Sequence, residues 1–125
     1  RFKVDGEQKE FKGLYAQGKY ATGSNETQIW SAAFDLFFPG KTTGDSNIDS
    51  GASLYITHGG KEYAAYPDAF TQGGVVDVSV SAYGAVGDKI KGTFSGKIFN
   101  DEDDENVLFV DVTDGEFEVT REEDE

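Results

Sequence analysis

VDVSVSAYGAVGDKIKGTFSGKI, residues 76–98, decides the fold. Val76, Val78, Val80 and Ala82 alternate with Asp77, Ser79 and Ser81. That period of two puts the apolar side chains on one face of a strand and the polar ones on the other. Gly84 to Asp88 then carries turn chemistry. Beyond it Ile90, Gly92, Phe94, Gly96 and Ile98 alternate with Lys89, Lys91, Thr93, Ser95 and Lys97. Two one-sided strands around a short turn predict an antiparallel hairpin with one wet face. Gly92 and Gly96 flank Phe94 on the inward face, which predicts an aromatic ring packed over glycine.

The same period runs outward from this hairpin in both directions, and no stretch reads as a helix. Phe2 and Val4 open the chain before an Asp5-Gly6 turn, and a strand is expected over Leu14 to Tyr20. Gln28 to Phe38 reads as the strongest strand, with Trp30, Ala32, Phe34, Leu36 and Phe38 on one buried face and Asp35 on the other. Pro39-Gly40 ends it, and Lys41 to Gly51, rich in Thr, Ser, Asp, Asn and Gly, reads as a long loop. Ala52 to Thr57 and Lys61 to Tyr66 flank His58-Gly59-Gly60 as a second hairpin. Pro67 to Gly74 and Asn100 to Asn106 are loops, and Asp114-Gly115 reads as a turn between Leu108–Val112 and Phe117–Val119.

About eight or nine short strands at regular spacing predict an all-β fold, an antiparallel β-sandwich, with a small β-barrel as the alternative. The expected organisation is a single β domain over 1–121 and a frayed acidic tail over 122–125. The length of 125 residues suits one domain with its own core. Ten Phe, six Tyr and one Trp supply the bulk for that core.

The net charge is −13. Phosphate backbones and anionic lipid surfaces repel such a chain, which excludes nucleic acid and direct anionic-membrane binding as expectations. There is no Cys, so disulfides, thiolate metal sites and Cys nucleophiles are out. No apolar run approaches the roughly 20 residues that span a bilayer. Position 1 is Arg and no Met occurs, which is expected of a processed or trimmed product.

Part of the chain is also similar to a known group. Ile90-Lys91-Gly92-Thr93-Phe94-Ser95-Gly96, followed by Val112-Thr113-Asp114-Gly115-Glu116-Phe117-Glu118-Val119, resembles a pattern in small secreted or lipid-anchored β-sandwich proteins of Bacteroidota and related bacteria. The resemblance covers about residues 75–120. It implies a fold and a secreted, periplasmic or cell-surface location, and it transfers no catalytic residue.

Asp101, Glu102, Asp103, Asp104 and Glu105 are the sharpest local feature. A hairpin about Asp114-Gly115 would bring Glu122 to Glu125 beside them and crowd one pole with carboxylates. Ca²⁺ takes about six to eight oxygen ligands. Asp101, Asp103, Asp104 and Glu105 are therefore the candidate metal ligands, and Ca²⁺ the candidate cofactor. Asp45, Ser46, Asn47 and Asp49 form a second polar stretch, a candidate for ligand contact on its loop. Tyr15, Tyr55, Tyr63, Tyr66 and Tyr83 are candidates for a sugar-stacking platform. His58, the only histidine, sits in a turn, and Asp35 and Asp77 face water, so no catalytic constellation forms.

The expected function is a non-catalytic, extracytoplasmic binding or surface-interaction domain with a protein or glycan partner and a candidate Ca²⁺ dependence. Two rivals stand beside it: a structural subunit of an extracellular assembly, and a carbohydrate-binding module.

Overall fold

A computed structural model of the chain describes residues 2–4, 7–9, 17–31, 34–58, 60–66, 74–100 and 108–124. The elements are β1 (Phe2–Val4), β2 (Glu7–Lys9), β3 (Gln17–Ala21), β4 (Glu26–Trp30), β5 (Phe34–Pro39), β6 (Gly44–Asn47), β7 (Ser53–His58), β8 (Lys61–Ala65), β9 (Val75–Tyr83), β10 (Lys89–Asn100) and β11 (Leu108–Thr120). All named strands pair antiparallel within one sheet, in the order β2-β1-β11-β10-β8-β7-β5-β4-β3, with β9 and β6 branching from β10. The all-β, antiparallel expectation holds.

β10 and β11 are the spine. β10 pairs first with β9, down to Lys97–Val75, and then with β8 at Phe99–Ala64. Two neighbours thus share one long strand, and the sheet rolls over on itself. β5 comes to face β10 and β11 across the core, although it neighbours neither in the sheet. Phe34 stacks on Phe94 with centroids 6.0 Å apart, and Phe38 stacks on Phe117 at 6.2 Å. The two layers of the expected sandwich are limbs of one sheet. β3 then meets the end of β11 through a parallel Gly18–Arg121 bridge, backed by a 2.8 Å hydrogen bond from the Glu122 N–H to the Gly18 carbonyl.

Glycine decides two of these contacts. A Cβ on Gly18 would lie 2.7 Å from Val119 Cγ2 and 2.9 Å from Ile29 Cδ1, so any larger residue would push these side chains aside where β3 closes against β11. Gly115 is the other. β10 and β11 form reciprocal pairs, Gly92 opposite Phe117 and Phe94 opposite Gly115, and each ring lies over the glycine across from it. The expected packing of an aromatic ring over Gly92 is present, and Phe117 supplies the ring.

Three expectations are corrected. Gln28 to Phe38 is a hairpin, not one strand: Trp30 pairs with Asp35, and the Ser31 N–H donates to the Phe34 carbonyl at 2.9 Å. The core side chains of β4 are therefore Thr27 and Ile29, and Trp30 faces outward, half-buried. Within the expected loop over Lys41 to Gly51, Gly44–Asn47 is a strand that pairs with β9, followed by a 3₁₀ turn over Ile48–Ser50 that Asn47 caps. Asp114-Gly115 does not turn the chain. It is a bulge inside β11, where Thr113 and Asp114 together oppose Ser95 and Asp114 takes φ +52°. The extra residue resets the alternation, so Val110 and Val112 before it and Phe117 and Val119 after it all reach the core. Beyond β11 the Arg121 guanidinium donates to both oxygens of the Asp124 carboxylate, at 2.9 Å and 3.0 Å.

The bulge sets opposite tolerances at adjacent positions. Gly115→Ala forces a Cβ against the Phe94 carbonyl and ring. It should cost about 1–3 kcal/mol and lower the melting temperature by several degrees. Asp114→Gly suits the left-handed backbone and should lower the melting temperature less than Gly115→Ala does. Thermal denaturation of both variants checks this, and equal losses would contradict it.

Candidate functional site

β11 runs without reversal from Leu108 to Thr120. Asn100 and Leu108, which flank 101–107, pair with each other at one end of the β10–β11 ladder, and Lys89 pairs with Thr120 at the other. A 13-residue strand spans up to roughly 40 Å. Glu122–Asp124 therefore follow the end of β11 opposite that loop's anchors, and the hairpin about Asp114-Gly115 from which a single acidic pole was expected is absent. Asp101, Asp103, Asp104 and Glu105 themselves lie outside the described residues. Among the described residues, no group of three or more His, Asp or Glu is placed to hold a metal ion.

Two other surfaces emerge. The first is a groove of about 810 Å³ on the outer face of β6, β9, β10 and β11. Register places Asp45, Ser79, Thr93 and Glu116 in one row across the four strands, with Asp77 and Asp114 alongside. Of the expected ligand-contact residues Asp45, Ser46 and Asn47 reach this groove, while Asp49 stays exposed in the 3₁₀ turn outside its lining. No Lys or Arg is among its described lining residues.

The second surface is the outer face of the opposite layer. Burial alternates along β4 and β5, and in the register between them and β7 and β8 Trp30, Asp35, Tyr55 and Ala64 share one outward face, each less buried than its neighbours Ile29, Leu36, Ile56 and Ala65. Tyr55 is the centre of an aromatic cluster: Tyr66 stacks on it at 5.9 Å with an 11° tilt, and Phe37 meets it edge-on at 5.9 Å. Tyr55 keeps 38% of its surface exposed. Beside it, the Asp35 carboxylate accepts a 2.9 Å hydrogen bond from Gln28 Nε2. The Lys19 ammonium lies 5.3 Å from the centre of the Trp30 ring.

Of the five tyrosines expected as a platform, the structure brings together Tyr55 and Tyr66. Tyr63 is buried in the core. Tyr83 is committed to the closure, where its hydroxyl is 2.6 Å from Thr27 Oγ1 and the Arg121 guanidinium lies over its ring. Tyr15 lies outside the described residues. Reading Gln28–Phe38 as one strand points Trp30 inward and hides it from the outer face, whereas Phe37 shares the outward parity of Asp35. The readable signal is a parity switch, with Thr27 and Ile29 inward on odd numbers and Phe34, Leu36 and Phe38 inward on even ones. Asp35 and Asp77, both expected to face water, do so on opposite layers.

Compared with known proteins, the chain gives no significant match to a protein family, a curated protein or a solved structure.

Burial raises the phenol pKa of both Tyr55 and Tyr83 above 10.0, against smaller lowering effects from the hydrogen bonds to Ser53 and Thr27. The folded protein then holds these protons above pH 10 while the unfolded chain releases them. Stability from this source is complete below about pH 10 and is lost as pH rises through the folded-state values. Melting temperature should fall above about pH 10, and Tyr55→Phe should flatten the fall. An unchanged alkaline slope in that variant would contradict the assignment.

Proposed function

We propose that this chain is a non-catalytic binding domain that works outside the bacterial cytoplasm and recognises neutral carbohydrate on the outer face of β4, β5, β7 and β8. The observation that carries the reading is the Tyr55 cluster. Most large aromatic side chains on the described strands serve the core, yet Trp30, Phe37, Tyr55 and Tyr66 share an outer face. Aromatic rings offer sugars a flat apolar surface for their C–H faces, and neighbouring polar groups bind the hydroxyls. Asp35 and Gln28 supply such groups at the edge of the cluster.

The charge supports a neutral ligand, because a chain of net charge −13 repels polyanions. The extracytoplasmic setting is supported by the resemblance of Ile90–Gly96 and Val112–Val119 to secreted Bacteroidota proteins. A non-catalytic role is supported by the wide separation of Asp35 and Asp77, on opposite layers, and by a face that offers rings and hydrogen bonds rather than paired acids.

Trp30 is the only tryptophan and reports directly on this face. Titration with soluble neutral oligosaccharides should change its fluorescence saturably, and Tyr55→Ala should weaken binding by roughly tenfold, about 1.4 kcal/mol. No response to any neutral sugar, or full affinity in Tyr55→Ala, would contradict the proposal.

A further inference from the structure

The pairing register extends the aromatic face into a line. Trp30 pairs with Asp35, Asp35 with Tyr55, Tyr55 with Ala64, and Ala64 with Phe99. Residues directly opposite across antiparallel strands share a face. Phe99 follows that rule: it is half-buried between the buried Ile98 and Asn100. Across β4, β5, β7, β8 and β10 the row therefore reads Trp, Asp, Tyr, Ala and Phe, so rings stand on every second strand until Phe99 pairs with Phe109 on β11.

Strands lie about 4.8 Å apart, so successive rings stand roughly 9–10 Å apart. That step is close to the disaccharide repeat of an extended β-linked polysaccharide. In such a ribbon each sugar is turned over relative to the last, and every second sugar presents the same face. Ala64 leaves room between two of the rings. Asp35 fills the other interval with a carboxylate whose Oδ1 is held by Gln28 and whose other oxygen can accept from a sugar hydroxyl.

We infer that the row Trp30, Tyr55 and Phe99 is a run of stacking stations for a single extended, neutral β-linked polysaccharide chain that crosses the strands. The inference rests on the carbohydrate-binding reading above and specifies its ligand. Strand-to-strand twist of about 20–25° rotates each station relative to the next. A flat crystalline surface cannot meet all three rings, whereas a hydrated single chain can twist about its linkages. A coiled α-linked chain cannot follow a line of this pitch.

The test is calorimetric titration of the full chain with cello-, xylo- and manno-oligosaccharides of increasing length, from disaccharide to hexasaccharide, with maltohexaose as the α-linked control. In at least one β-linked series affinity should rise about tenfold or more with length, and maltohexaose should gain nothing over maltose. Trp30→Ala and Phe99→Ala should each weaken hexasaccharide binding about fivefold and leave disaccharide binding at Tyr55 unchanged. Phe99 is half-buried, so Ala64→Arg is the second variant: it fills the gap between two stations and should produce the same selective loss, with a thermal melt confirming the fold. Affinity independent of length, or indifference to all three substitutions, would overturn the extended-chain inference while sugar binding at Tyr55 stood. Absence of binding by every neutral sugar would overturn both. Light scattering that shows self-association abolished by Trp30→Ala, with no sugar bound, would assign the face to a second copy and overturn the inference as well.

Discussion

Four phenylalanine rings hold the two layers together. Phe34 and Phe38 reach across from β5 and stack on Phe94 and Phe117, which tilt against each other at 6.3 Å. The last two can lie flat only because the residues opposite them, Gly115 and Gly92, have no side chains. The fold depends on this arrangement. Rings that lay higher would wedge β5 away from the spine, and the roll that brings β3 to β11 would not close. A core of aromatic rings over glycine also needs few residues, which suits a chain of 125.

The same economy shapes the surface. With phenylalanine filling the centre, the sheet has no internal use for Trp30, Phe37, Tyr55 and Tyr66, yet they sit together on one outer face. Such a face keeps apolar area in water, a cost that solubility alone gives no reason to bear. The groove on the opposite layer has the contrary character, lined by carboxylates and hydroxyls. The molecule thus presents one aromatic side and one acidic side, joined by strands long enough to serve both.

Much of this was legible in the residues. The β9–β10 hairpin, its inward valines and the Gly84–Asp88 turn follow from period-two alternation, and so does the turn between His58 and Lys61. What the pattern hid has a common cause: a change of parity that lacks the usual punctuation. Between Trp30 and Phe34 no Gly, Pro or Asn marks the reversal, so two strands read as one and Trp30 was assigned to the core. At Asp114-Gly115 the opposite occurred. Turn chemistry is present, but it serves a bulge, because β10 continues alongside and supplies partners on both sides of it. That difference puts Arg121 at the opposite end of β11 from Leu108. The aromatic row was invisible for a further reason: Trp30, Tyr55 and Phe99 are far apart in sequence, and only strand register lines them up.

On the proposed reading, ligand meets the molecule on the aromatic side. It is tested most directly by mapping backbone and indole NMR shifts while a soluble β-linked hexasaccharide is titrated into the isotope-labelled chain. Perturbations should concentrate at Trp30, Asp35, Tyr55, Ala64 and Phe99, with the Trp30 indole N–H among the largest. Perturbations centred instead on Asp45, Ser79, Thr93 and Glu116 would place binding on the acidic side and contradict it.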